Sequence, residues 1–317
     1  MSTKLPPPSK SQNYVTVSAL TGGFITLGDR FFVAPADPEA KRTVPSLCFL
    51  VTHPNPPNAT FGTKRKPLRM LFDLGLRSSK ERYPTALQRH IEGRAPFTLE
   101  PGVIEQLGKG GLTVSDIDVV MLSHVHYDHH GDPEDFPSST FVVGHGVLDV
   151  IAHGLQGQGS HQHFQSDLFR HNTVFELPPA GLHAEINGMD LEWKPIGPFP
   201  AALDLFKDGS VFVIDTPGHL PGHINLLCRI GPEKWVCLCG DAFHDLRLLT
   251  GEKEIGTWEG ADGNTLCIHL DKEGAKESIG RLRQLQEIGE GKVELIAAHD
   301  EKWLKENKKS LLPGMVE

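Results

Sequence analysis

The 317-residue sequence has no run of the roughly 20 apolar residues that a membrane-crossing helix needs, and so offers no candidate for one. It also lacks an excess of basic charge: 31 Lys and Arg stand against 40 Asp and Glu, a formal net charge of -9. That balance sets nucleic acid aside as a main partner, because phosphate binding needs a concentrated basic surface. The one basic triplet, Lys64-Arg65-Lys66, reads as a solvated loop tip. Cysteine is scarce and odd in number. The five residues (Cys48, Cys228, Cys237, Cys239, Cys267) lie mostly in apolar strand-like runs, and Cys237-x-Cys239 falls one residue short of the usual zinc or redox spacing. Free buried thiols in a reducing cytosol are expected. Residues Met1–Gln12 carry Pro, Ser and Lys without the apolar core of a secretory signal, so 1-12 reads as a flexible lead-in and 13-317 as one domain of a cytoplasmic protein.

What the sequence has in abundance is histidine, with 17. Imidazole is both a metal ligand and a proton carrier near neutral pH, so the setting of each one matters. Short apolar, β-branched runs with turn residues between them predict strands at Tyr14–Leu20, Phe24–Leu27, Ser46–Thr52, Arg69–Asp73, Asp118–Leu122, Thr140–Val143 and Thr173–Leu177. A second batch follows at Asp190–Lys194, Ser210–Asp215, His223–Arg229, Lys234–Cys239 and Val293–Ala298. Helical spacing is clearest over Lys272–Gly289, with Ala275, Ile279, Leu282 and Leu285 on one face, and is present over Pro84–Glu92, Glu100–Gly108 and Val147–Gly154. Two batches of strands with few helices predict two sheets face to face with helices outside. Pro54–Lys66 and His153–His163 read as surface insertions.

Four of the predicted strands end in residues that bind metals. Asp118–Leu122 delivers Ser123 and then His124-Val125-His126-Tyr127-Asp128-His129. In an extended segment His124 and His126 point the same way and can share one ion, and a turn after them swings Asp128 and His129 toward a second. A lone His-x-His reads as a solvated turn; the full run after an apolar strand is far more specific. Val211–Ile214 leads to Asp215-Thr216-Pro217-Gly218-His219, Val236–Cys239 to Gly240-Asp241, and Leu295–Ala298 to His299-Asp300. Imidazole with carboxylate suits zinc, and also iron or manganese. A cage of donors is the economical reading of four such strand ends.

These motifs resemble those of the metallo-β-lactamase superfamily, from about Val15 to about Trp303. The resemblance implies an α+β fold, a four-layer αββα sandwich with two metals at one edge of its sheets. It places His124, His126 and His219 on one metal, Asp128, His129 and His299 on the other, and Asp241 between them. Asp73, in Leu71-Phe72-Asp73-Leu74-Gly75, corresponds to a residue that supports the site without ligating. Aspartate followed by histidine at 128–129, and Asp241 where one antibiotic-hydrolysing branch has cysteine, separate the chain from that branch. Thr216-Pro217-Gly218-His219 and Ala298-His299-Asp300 look like the lactonase branch, which includes N-acyl homoserine lactonases. His130-Gly131-Asp132-Pro133 and Phe136-Pro137-Ser138-Ser139-Thr140 look like fungal lactonase- or lactamase-like members. Many homoserine lactonases have a tyrosine three places after the bridging aspartate, where this chain has His244.

The implied activity is hydrolysis of a small cyclic ester, with a cyclic amide close behind, by a hydroxide bridging two divalent ions. Asp128 and His244 are the expected proton carriers. A glyoxalase-type thioesterase shares the cage. A nuclease fits the acidic chain less well, and a redox member normally uses a single iron. The expected partner is a small molecule, with no nucleic acid and no membrane, and the protein is expected as a monomer or homodimer. Among the other histidines, His223 is expected to support the fold, His130 to point away, His145 and His153 to lie on a helix as core or surface residues, and His161 and His163 to sit in a solvated loop, with a part in covering the substrate left open.

Overall fold

A computed structural model describes residues 4–57, 61, 66–155, 163–186, 189–260 and 263–317. Parts of the two insertions, 58–60 with 62–65 and 156–162 with His161 among them, lie outside the described residues. The first sheet contains β1 (Thr16–Gly28), β3 (Lys41–His53), β4 (Leu68–Phe72), β5 (Val119–Met121), β6 (Thr140–Val143) and β7 (Thr173–Glu176), adjacent in that order. The second contains β8 (His183–Ile186), β9 (Met189–Ile196), β10 (Phe199–Asp204), β11 (Val211–Asp215), β12 (Ile224–Arg229), β13 (Trp235–Leu238) and β17 (Val293–Ile296), with β17 on the outside of β13. Two ribbons pair β2 (Val33–Ala34) with β14 (Glu254–Ile255), and β15 (Thr257–Glu259) with β16 (Thr265–Cys267). The α-helices among the described residues are α1 (Thr85–Glu92), α2 (Val103–Lys109), α3 (Val147–His153), α4 (Leu246–Thr250), α5 (Lys272–Ile288) and α6 (Glu301–Glu306).

The layers follow from the two-residue alternation of strand side chains. Met70, Phe72, Val119 and Met121 face Val211, Val213, Leu226, Cys228, Val236 and Leu238 across the sheet interface. Their neighbours Leu71, Val120 and Phe141 face outward under Leu107, Val147 and Val150 of α2 and α3. On the far side Leu227, Cys237 and Leu295 pack under Ala275, Ile279, Leu282 and Leu285 of α5. Three apolar seams between four layers make the expected αββα sandwich. No helix among the described residues is long and apolar enough to cross a membrane.

Strand direction places the site. β4 and β5 run parallel, as do β13 and β17, and β11 runs with β13 because each is antiparallel to β12. The segments that leave β11, β13 and β17 therefore emerge at one end of the second sheet, and Ile224 N–H, donating to the Ser123 carbonyl at 2.9 Å, brings the segment that leaves β5 to the same end. The sheets are linked there, where Leu47 N–H donates to the Ala298 carbonyl at 2.8 Å. Two predicted strands, Tyr14–Leu20 and Phe24–Leu27, form the single β1, with a register shift between Thr21 and Phe24. That irregularity brings Gly22 against Gly75: a Cβ on Gly22 would lie 2.4 Å from the Gly75 Cα, so neither position has room for a side chain.

Candidate metal centre

Asp73 directly follows β4 and adopts a left-handed backbone, φ 63°. Its carboxylate accepts from Ser123 N–H at 2.6 Å and Ser123 Oγ at 2.7 Å, and lies 2.9 Å from His129 Nδ1. Ser123 Oγ is also 3.0 Å from His124 Nδ1. These contacts turn the Nε2 atoms of His124 and His129 toward the cavity, as a hydrogen bond on one ring nitrogen fixes the role of the other. His299 is fixed in the same way, its Nδ1 lying 2.7 Å from the Pro45 carbonyl. His223 meets the expectation of a supporting residue: its Nδ1 lies 3.0 Å from Thr216 Oγ1, and its Nε2 accepts the Asp241 N–H at 3.1 Å.

The donor atoms converge in two groups. His124 Nε2, His126 Nδ1 and His219 Nε2 are 3.0, 3.0 and 3.2 Å apart, and His219 Nε2 lies 3.4 Å from Asp241 Oδ2. On the other side, His129 Nε2 and His299 Nε2 stand 3.2 and 3.4 Å from Asp241 Oδ1, and His299 Nε2 is 3.6 Å from Asp128 Oδ2. Ligands about 2.1 Å from zinc at the corners of a tetrahedron stand about 3.4 Å apart. Both groups match that spacing, and the two oxygens of Asp241 divide between them. All seven side chains are buried, and among the described residues His129 Nε2 and Asp241 Oδ1, 3.2 Å apart, make no well-aligned hydrogen bond. Buried polar atoms left without partners are costly, and a cation among them removes that cost. The donor set therefore fits two divalent ions.

Burial holds His124 and His219 well below the ordinary imidazole value, which keeps their lone pairs free. Burial opposes charge on His129 as well, but Asp241 and Asp73 outweigh it and hold that imidazole above its ordinary value. Asp241 shows the converse: His129, His299 and His244 overcome its burial and hold its carboxyl well below the usual range. His244 Nε2 lies 3.0 Å from Asp241 Oδ2, and its ring packs 4.9 Å from that of Phe32.

His130 turns away from the donors as expected, its Nδ1 2.9 Å from the Gly131 carbonyl and its pKa pushed down to about 3 by burial. His153 ends α3 on the surface, while His145 lies just ahead of that helix and is exposed. His163 is not remote from the site. Its ring is 6.3 Å from His90, and its neighbour Phe164 stacks 6.2 Å over His126.

A cavity of about 240 Å³ opens onto these donors, lined by Asp128, His244 and, beyond the predicted residues, by Phe31, Phe32, His90, Arg94 and Trp258. His269 is a further residue that sequence reasoning missed. It is fully buried with its ring 5.1 Å from His219 and 5.2 Å from His244, and among the described residues neither of its nitrogens has a hydrogen-bond partner. The strand before it, β16, is three residues long and only partly buried, so its spacing gave no signal.

An αββα sandwich with a buried histidine–aspartate cluster at one edge sets the class of protein. The chain belongs to the metallo-beta-lactamase superfamily, whose family model matches residues 70–287. It is 31% identical over 257 residues to the cytochrome P450 monooxygenase mpaDE of Penicillium roqueforti, covering 78% of this chain but only 28% of that protein. It is 31% identical over 179 residues to the gamma-lactamase MBL2 of Gibberella moniliformis, covering 55% of this chain and 70% of that one. In fold it is similar to a quorum-quenching N-acyl homoserine lactone lactonase, with a TM-score of 0.64 at 18% identity over 96% of this chain and 100% of that chain.

Proposed function

We propose that His124, His126 and His219 hold one divalent ion, that Asp128, His129 and His299 hold a second, and that Asp241 bridges them. Zinc suits this set, with iron or manganese as alternatives. The protein then opens a small cyclic ester or amide by hydrolysis, as a cytoplasmic monomer or homodimer whose single domain spans 13-317. The observation that carries this reading is the division of the Asp241 oxygens between two donor groups on one cavity wall. Two ions bound there would supply an acidified water and a Lewis acid for the carbonyl oxygen.

The chain's own residues account for the rest. Phe31, Phe32 and Trp258 exclude water from one side of the cavity and receive the apolar part of the substrate. Asp128 faces the cavity and can take up a proton as the bond to the carbonyl carbon forms. His244, held against Asp241, can give one to the oxygen or nitrogen that leaves. The gamma-lactamase and lactonase names of the relatives support ring opening. The cage alone also serves a thioesterase of the glyoxalase type.

Elemental analysis of the purified protein, with a panel of lactones, lactams and glutathione thioesters, tests the reading. About two metals per chain and ring opening are expected. Fewer than about one metal per chain, or thioester cleavage without ring opening, would overturn it.

A further inference from the structure

Among the described residues, the cavity wall includes a cation that the hydrolysis above does not use. Arg94 follows α1 and lines the same space as Asp128, Asp241 and His244. Its backbone is fixed on both sides: its N–H donates to the Ile91 carbonyl at 2.8 Å, and its carbonyl accepts from Thr26 N–H at 3.0 Å. Among the described residues its Nη2 lies 3.4 Å from His90 Nε2, and the guanidinium donates to the Tyr127 hydroxyl. Among the described residues no carboxylate forms an ion pair with it. Other arginines are placed differently: Arg42, Arg77, Arg82 and Arg247 each hold at least one aspartate or glutamate.

A half-buried guanidinium without an anion has lost part of its hydration and gained no charge partner in return. Its planar fork matches a carboxylate with two parallel hydrogen bonds. Leu27, Phe31, Phe32, Trp258 and Ile268 form an apolar part of the wall, and Phe31 meets Trp258 edge-on at 4.9 Å. At about 240 Å³ the space suits a compact molecule. We infer that the ring this protein opens carries a carboxylate, which pairs with Arg94 while the apolar body lies against Phe31, Phe32 and Trp258. Arg94 is thus a specificity residue for an anionic substrate, an assignment that rests on the ring-opening reading.

Matched probes separate the two ideas. The metal-loaded full chain is assayed on dihydrocoumarin and on its ring-carboxylated analogue, for wild type, Arg94→Gln and Arg94→Lys. Wild type is expected to prefer the carboxylated lactone. In Arg94→Gln the ratio of kcat/KM, carboxylated over neutral, falls about tenfold to a hundredfold through KM, as loss of a charge-assisted pair predicts. Arg94→Lys retains part of the preference. A ratio that does not change in Arg94→Gln overturns the inference and leaves the hydrolase standing, because a merely structural arginine would alter both substrates alike. If wild type opens neither lactone, the ring-opening reading fails, and calorimetry with the carboxylated lactone decides about Arg94. Binding at least tenfold weaker in Arg94→Gln supports the carboxylate site, and equal binding removes it.

Discussion

Asp73 shows how one residue can set a site without entering it. A non-glycine residue with φ near 60° costs about 1 kcal/mol or more, a strain that persists only where the surroundings hold it in place. Ser123 and His129 do so through three contacts. Asp73→Ala is expected to lower metal affinity about tenfold to a hundredfold, read by competition with a chromogenic chelator. Unchanged affinity would show that the orientation of His129 does not depend on Asp73. His244 is the second residue to test. Replaced by Ala or Phe it should reduce turnover on a ring substrate about a hundredfold while metal content stays full, and equal turnover would remove it from proton transfer. The seven proposed ligands were legible in the sequence because each ends an apolar strand or lies in the run from His124 to His129. Arg94, Phe31, Phe32 and His269 were not. They are single residues in irregular segments, and tertiary packing alone brings them to the cavity.

Elements were legible where their periodicity was long. Thr140–Val143 falls on its predicted range, and α5 departs from prediction by one residue, since alternation and a charged outer face leave little freedom. β8 and β10 were missed because His183–Ile186 is largely exposed and Phe199–Asp204 shows no polar alternation. α4 and α6 are five and six residues long, too short for a repeat to register, and depend on the side chains of Asp245 and Asp300 that cap their first turns. The end of β11 carries a pH-sensitive element. Burial pushes the Asp215 carboxyl up to about 6, against an ordinary value of 3.8. Its protonated form is favoured in the fold, so the stabilisation it gives is fully present below about pH 4 and is lost as pH rises through about 6. Discounted for partial exposure, the loss amounts to about 2 kcal/mol by pH 7.5. Asp215→Asn should therefore be more stable than wild type at pH 7.5 and equal to it near pH 4, compared by urea denaturation. A difference that does not vary with pH would rule this out.

For the whole molecule, the proposed ligands come from both halves of the sandwich. His124, His126, Asp128 and His129 leave β5 of the first sheet, while His219, Asp241 and His299 leave β11, β13 and β17 of the second. Removal of metal with a strong chelator should lower Tm by several degrees and abolish ring opening, with both restored by zinc, because an ion that binds only the folded chain stabilises it by mass action. A Tm that ignores the chelator would mean that the cluster contributes nothing to the fold. The division of donors also has a mechanical consequence. Ions held by these donors would act as rivets through two stacked plates. Force that slides one sheet over the other would be carried first by bonds at a single edge, and with the rivets drawn the same edge becomes the place where the plates begin to part.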